Sequence, residues 1–421
     1  MKTGQSEFAA YIGIDWADKK HDLCLQVAGS GVREKSVVEH SPKTLHAWAE
    51  SLQKRFGGAP VAVCIELAKG PIVSALLEHD FFVIFSVQPS LLARYRKAFV
   101  PSRAKDDPTD ARFALELLLR YPEKLQRLKP ESPTMRVLRQ LVESRRTLVD
   151  DRVRVTNRIT ASLKAYFPQV LGLFREKDTG VFAAFLERWP TIETAKKARK
   201  SVLEAFFREH KVCSQATIDR RVAALRGEEP LTTDQAVIGP AKLLVELLLP
   251  QLKVLADAIE RLDTEIGHCC AKLADYKLFA ALPGAGPALA PRLLAAFGEQ
   301  RERFPDAASL QKYVGVAPVT ERSGNKCWVH WRYSCSTFLR QTFVEWVAQT
   351  ITRSFWAKAF YESYRARGGS YQSALRALAF KWIRILYRCW VDRVPYDESK
   401  YLMALQKRQA PLLKHAANTI A

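Results

Sequence analysis

The sequence predicts an α/β domain built on a mixed sheet, followed by a long and mainly helical remainder (α/β plus α). Two observations carry that expectation. In the first 130 residues, three neighbouring apolar runs are followed by strands alternating with helices, the pattern of a sheet with parallel and antiparallel pairs. Further on, Leu248, Leu252, Leu255, Ile259, Leu262, Ile266, Cys269 and Leu273 alternate steps of four and three without a break. That is the spacing of a coiled-coil seam, which serves equally to join subunits or to close an internal hairpin. At 421 residues the chain exceeds one compact domain. We expect three regions: 1–130, 131–275 and 276–421.

Taken in order, Tyr11 to Ile14 is a short apolar strand ending at Asp15. Leu23 to Ala28 and Val32 to Val38 are two more, with Gly29 to Gly31 as the turn between them. A helix is expected from Pro42 to Phe56, a buried strand from Pro60 to Ile65 ending at Glu66, a helix from Gly70 to His79, and a strand from Phe81 to Val87. Asp15 and Glu66 thus stand at strand ends, where ligand sites of such sheets form.

Lys105 to Arg120, KDDPTDARFALELLLR, reads as the start of a helix. Pro108 suits the first helical position, Asp107 is a good N-cap, and Asp110 lies in the first turn near the positive end of the dipole. Capping alone accounts for both acids. The same geometry also puts Asp107 and Asp110, three apart, on one face where they can share a divalent cation, with Asp106 as a rival to Asp107. Asp15, Glu66, Asp107 and Asp110 together are what a two-metal phosphoryl-transfer site requires. Two cations about 4 Å apart hold the attacking and leaving oxygens, and their charge needs several carboxylates.

Composition narrows the partners. The 65 lysines and arginines outnumber 44 acids, giving a net charge of +21 that suits a polyanion, nucleic acid rather than membrane. No apolar run reaches membrane-spanning length, and the N-terminus lacks the apolar core of a signal peptide. Eight cysteines without a CxxC pair read as reduced thiols, so a soluble, cytoplasmic protein is expected.

From Pro133 onward Leu138, Leu141, Leu148, Val155 and Ile159 partly follow a heptad, interrupted by Arg145 and Arg152. Between this segment and the cleaner seam, about Glu176 to Gly239 reads as a small packed helical lobe. In LFAALPGAGPALAPRLLAAFG, Gly284 and Gly286 join two short helices. They either let backbone N–H groups approach a phosphate or make an ordinary turn. Arg322 to Lys414 carries 17 lysines and arginines against 5 acids, and Trp328, Trp331 and Tyr333 are interleaved with Lys326 and Arg332. That mixture suits stacking and phosphate contact, although alternate aromatics also describe a strand with one buried face.

YIGID near the start, CIE at Cys64 to Glu66, K-x-D-x-x-DA at Lys105 to Ala111, LPGAGPALAPRLLAAFG and YVGVAPVTERSG, in that order, resemble the DEDD transposases of the one-ten family of bacterial insertion sequences. The related Piv-type DNA invertases share the likeness, which covers nearly the whole chain. It implies a RuvC-like, RNase H-type first domain whose metal-binding acids are Asp15, Glu66, Asp107 and Asp110, the family spacing favouring Asp107 over Asp106. It also implies a central coiled coil and a C-terminal domain whose nucleophile, the serine of R-S-G, is Ser323. A bacterial, multimeric DNA recombinase guided by a structured RNA from the element's own noncoding end is the implied activity. Three departures stand out: CIELAKGP replaces the common CIEATG, Asp106 stands where threonine is usual, and WRYSCSTFLRQTF lacks a frequent glycine.

The resulting expectation is a transposase that cuts and rejoins DNA through a covalent serine–phosphate at a composite site. Mg²⁺ or Mn²⁺ would be the cofactor, DNA and a guide RNA the partners, and a dimer or tetramer the assembly. Gly284, Gly286, Arg322, Lys326 and Arg332 are the candidate nucleic-acid contacts. The alternative is a RuvC-like nuclease or Holliday-junction resolvase using metal-activated water, with Ser323 as a turn residue. A non-catalytic binding protein is disfavoured, because needless clustered carboxylates would repel DNA.

Overall fold

The computed structural model describes residues 7–67, 69–99 and 107–409. It forms two compact units, Met1–Pro130 and Glu131–Ala421.

The first unit is a six-stranded mixed sheet. Its elements are β1 (Ala10–Trp16), β2 (Lys20–Val27), β3 (Arg33–Glu39), α1 (Pro42–Arg55), β4 (Val61–Ile65), α2 (Pro71–Leu76), β5 (Phe82–Ser86), α3 (Pro89–Phe99), α4 (Asp107–Arg120) and β6 (Gln126–Arg127). The strands lie in the order β3-β2-β1-β4-β5-β6. β1, β4 and β5 run parallel, whereas β2, β3 and β6 make the antiparallel pairs. β4 (VAVCI) is buried at all five positions, as a strand covered on both faces must be. β3 (REKSVVE) is almost wholly exposed, and its charges blunt an edge that would otherwise pair with another chain. Helix α1 begins where Ser41 accepts from the Thr44 N–H and Pro42 pre-sets the first turn.

Strand alternation sorts the two faces. Ala10, Ile12 and Ile14 of β1 and Val61, Val63 and Ile65 of β4 pack with Leu45, Ala49 and Leu52 of α1 and Ile72, Val73 and Leu76 of α2. On the other face Cys24 lies with Ala111 and Leu115 of α4, and Ala62, Cys64 and Phe85 with Phe113, Ala114, Leu117 and Leu118. At Gly13 the backbone of α4 lies directly against β1. A Cβ there would stand 2.0 Å from the Ala111 carbonyl oxygen and 2.4 Å from the Leu115 nitrogen.

The second unit is built on two long helices, α5 (Pro133–Tyr166) and α11 (Gln235–Ala271). Between them lie α6 (Gln169–Leu173), α7 (Gly180–Arg188), α8 (Ile192–Lys197), α9 (Lys200–Glu209) and α10 (Gln215–Gly227). After α11 come α12 (Tyr276–Ala280), α13 (Gly286–Phe297), α14 (Ala307–Val314), β7 (Val319–Ser323), β8 (Lys326–His330), α15 (Thr337–Thr350), α16 (Phe355–Ala366), α17 (Tyr371–Asp392) and α18 (Glu398–Lys407). The two long helices are antiparallel. Met135, Leu138 and Val142 share a core with Ile266 and Cys270, Arg145 pairs with Asp263, and Val155 and Ile159 share a core with Leu248 and Leu252.

The apolar seam of α11 is therefore used inside the chain. Leu248, Leu252, Ile259, Ile266 and Leu273 are buried, with Leu255 and Leu262 half-buried. Each full burial of such a side chain contributes about 1.5–3 kcal/mol, so the hairpin leaves little of this seam for a second subunit. One end of the pair carries the lobe of α6 to α10 around Phe182, Phe185, Phe206 and Phe207. The other end joins a core of Phe297, Trp346, Trp356, Trp382 and Trp390.

Replacing Gly13 by alanine should lower stability by about 3 kcal/mol, because backbone atoms of α4 cannot yield as a side chain would. Gly31→Ala, where a Cβ meets nothing within 4 Å, is the control and should be near neutral. Chemical denaturation of the full chain reads both; equal midpoints would show that α4 shifts freely away from β1.

Candidate functional site

The acids at the ends of the strands come from simple register. β1 and β4 are parallel and their last paired residues are Ile14 and Ile65, so Asp15 and Glu66 follow side by side. Both share the alternation of Gly13 and Cys64 and hence belong to the α4 face. Each is half-buried. The approach of α4 at Gly13 brings the helix's first turn to the same face, where Asp110 immediately precedes Ala111.

Asp110 is 3% exposed and forms an ion pair with Arg96 of α3 through Oδ2. Its Oδ1 is buried and, among the described residues, accepts no hydrogen bond. A buried carboxylate oxygen without a donor is costly unless a cation or a water completes it, which makes Asp110 fit a metal ligand set. Asp107 opens α4, but its side chain, like the whole of its rival Asp106, lies outside the described residues. Among the described residues no three His, Cys, Asp or Glu side chains are gathered into a metal-binding group. Cys64, on the same face, lies in the apolar core under α4, and burial pushes its thiol up to about 12.

Two partners of this face were missed by the sequence reading. Asp22 of β2 lies opposite Asp15 in the antiparallel register, is 6% exposed, and has Lys20 Nζ at 3.8 Å. Its signal was the alternation in HDLCLQV, which puts Asp22 on the face of Cys24 rather than that of Leu23. Arg96 had no comparable signal, since one arginine in ARYRKAF resembles any other until α3 is seen beside Asp110.

The remaining candidates lie in the second unit. Ser323 ends β7 and is exposed. It pairs with Lys326 across a two-residue turn whose first member, Gly324, has φ +55°, the type II′ arrangement of tight hairpins. β8 is exposed at all five positions, so the alternating aromatics do not mark a strand with a buried face. Arg322 and Lys326 are exposed on this ribbon. Arg332 anchors its base by donating from Nε to the Ala317 carbonyl at 3.1 Å. Trp331 is half-buried with the Arg376 guanidinium 3.8 Å and the Arg340 guanidinium 4.8 Å from its ring centre.

Gly284 and Gly286 have φ of +73° and +54°. A Cβ on Gly284 would meet Gln349 Cβ at 2.7 Å and its backbone at 3.0 Å, so packing alone demands glycine there. Gly286 faces open space at the start of α13.

Comparison with known proteins gives two family matches. Residues 12–168 match the DEDD transposase model of IS110 elements, and residues 276–362 match the model described as transposase IS116/IS110/IS902 family. The mini-circle putative transposase for IS117 of Streptomyces coelicolor is 28% identical over 98% of this chain and all of its own length. Putative transposase y4uE of Sinorhizobium fredii is 30% identical over 48% of this chain and 57% of its own. The insertion element IS110 uncharacterized 43.6 kDa protein of Streptomyces coelicolor is 24% identical over 93% of this chain and 96% of its own.

The strand pair beside the acids also carries a titrating device. His21, paired in register with Trp16, is fully buried and its Nε2 lies 2.9 Å from His40 Nδ1. The Ala17 N–H donates to His21 Nδ1, so Nε2 carries the proton and donates to His40. Burial first, and His40 second, hold the His21 pKa below its usual 6.5. A base depressed on folding stabilises fully above the unfolded pKa and loses that contribution as pH falls from about 6.5 through the folded value. The melting temperature should therefore drop between neutral and mildly acidic pH, and more steeply for wild type than for His21→Gln. Parallel pH profiles for the two chains would rule this out.

Proposed function

Because the chain belongs to the IS110 family of transposases, enzymes that cleave and transfer DNA, we propose that it joins Ser323 covalently to DNA and that acids of the first unit act in the same reaction. The observation that carries this reading is the setting of Ser323. It is exposed at the end of a basic hairpin that buries no strand residue, so no packing role accounts for it. By contrast Ser336 accepts from the Leu339 N–H as the N-cap of α15 and has a structural task.

The first unit supports a RuvC-like assignment through its strand order and through Asp15, Glu66 and the first turn of α4 sharing one face. Asp15, Glu66 and Asp110, with Asp107, would hold Mg²⁺ or Mn²⁺; oxygen ligands suit such hard cations. A bound cation there would stabilise charge on the transferring phosphoryl group. Arg96 balances Asp110 in the meantime.

In the step itself the Ser323 hydroxyl gives up its proton to solvent and Oγ bonds to phosphorus. One deoxyribose oxygen leaves and takes a proton. The phosphodiester energy stays in the serine ester until the hydroxyl of another strand displaces Oγ, which lets ends be rejoined without water. Gly324 leaves open space beside the nucleophile. A guide RNA from the same element and assembly as a dimer or tetramer complete the proposal, supported by the family likeness and by the +21 net charge. A second reading, hydrolysis by metal-activated water, is favoured by the DEDD match, which covers the acids and not Ser323.

Two outcomes separate these readings. Labelled DNA incubated with the full chain should yield a protein-linked band on a denaturing gel, lost in Ser323→Ala and retained in Ser334→Ala and Ser336→Ala. Cleavage by wild type without any linked band would leave water as the nucleophile. Calorimetric titration with Mn²⁺ should show tighter binding by Arg96→Met, freed of its internal competitor, and roughly tenfold weaker binding by Asp110→Asn. Unchanged titrations in both would place the metal elsewhere.

A further inference from the structure

Arg340 of α15 and Arg376 of α17 are half-buried and near enough to act on each other as like charges. Among the described residues neither has a carboxylate partner. Arg340 donates to the Arg332 carbonyl and to Cys335 Sγ, and both guanidiniums lie over Trp331. Burial, together with Arg340, holds the Arg376 pKa below its usual value. Arg292, Arg301 and Arg303 of this unit are matched with Glu345, Asp275 and Glu131, whereas half-buried Arg221 lies over Phe174 and Phe207 with Arg220 nearby. Two adjacent cations without an acid favour an anion that would lower their mutual repulsion. Three residues before Trp331 and two after it, Trp328 on β8 and Tyr333 beyond it are exposed aromatic side chains, at 45% and 83%. Flat exposed rings beside phosphate-binding cations suit bases that are not stacked in a duplex.

We propose that the base of the Ser323 hairpin is a docking surface for an unpaired DNA strand, whose phosphates lie on Arg340 and Arg376 and whose bases stack on Trp328 and Tyr333. The inference deepens the function proposed above and rests on this hairpin facing the DNA. Trp331 is the fixed element: it spreads the two guanidiniums by cation–π contact and so keeps them in place while unpaired. The exposed rings set the preference for single strands, since a duplex presents phosphates but hides its base faces.

The test is fluorescence anisotropy of a labelled short DNA strand, its duplex and the matching RNA strand, over a salt series, with the full chain in a Ser323→Ala background. Arg340→Gln with Arg376→Gln should weaken the single DNA strand roughly tenfold and lower its salt slope by about 1.4, two phosphates at about 0.7 each. Trp328→Ala with Tyr333→Ala changes only exposed side chains, so its folding is not at risk. That pair should weaken the single DNA strand several-fold and leave the duplex within twofold. An unchanged slope, equal losses for duplex and single strand, or a loss confined to RNA would each overturn the proposal. The nucleophile reading fails separately, by a protein-linked band that survives Ser323→Ala.

Discussion

The first unit depends on how closely α4 can lie on β1. Gly13 has no side chain, and the Ala111 carbonyl occupies the space a Cβ would need. That one contact fixes the depth of the helix over the sheet. It also fixes where Asp110 stands relative to the ends of β1 and β4, because Asp110 is the residue before Ala111. Parallel register does the rest, carrying Asp15 and Glu66 past the last pair of residues onto the same face. Carboxylates brought together in this way repel one another. The protein relieves part of that cost with Arg96, whose ion pair leaves the second oxygen of Asp110 buried and open.

The second unit divides its labour differently. Its stability lies in the antiparallel α5–α11 pair and in two aromatic-rich cores, where Trp346, Trp356, Trp382 and Trp390 are all but fully buried. The β7–β8 ribbon adds nothing to those cores. A two-stranded hairpin alone is marginal in water, and this one is tied at its base by Arg332 on Ala317 and by Trp331 between two arginines. An element that adds nothing to the cores and exposes aromatic, basic and hydroxyl side chains is where contact with a partner is expected. Gly284, by contrast, resembles a phosphate-binding glycine in sequence, yet its close approach is to Gln349.

Much of this was legible in the residues alone. The strands from β1 to β5, with α1, α2 and α4, follow from alternation and capping, and so does the placing of Asp15 and Glu66 at strand ends. Local patterns suffice there because a strand's period and a helix's cap are properties of neighbours in the chain. The five motifs placed the chain in its family for the same reason, as each is a short run whose geometry is largely local. α3 and the two-residue β6 escaped notice, since a short basic helix with Leu92 as its one buried residue and a pair of strand residues carry too little apolar periodicity to be read.

What only the tertiary structure decided concerns partners distant in sequence. A four–three seam states that Leu248 to Leu273 must be covered but not by what; the fold supplies α5 of the same chain. Interleaved aromatics in KCWVHWRY are compatible with a strand that has one buried face, and only packing shows that β8 is exposed at all five positions while Trp331 beyond it is half-buried. Asp22 opposite Asp15, Arg96 on Asp110, and Arg340 with Arg376 around Trp331 are pairings across 7 to 45 positions. The sequence by itself determined which residues carry charge, ring or hydroxyl and on which face of an element they lie. Which of those charges are neutralised, and which are left for a ligand, depends on chain segments meeting in space, and no local period encodes that.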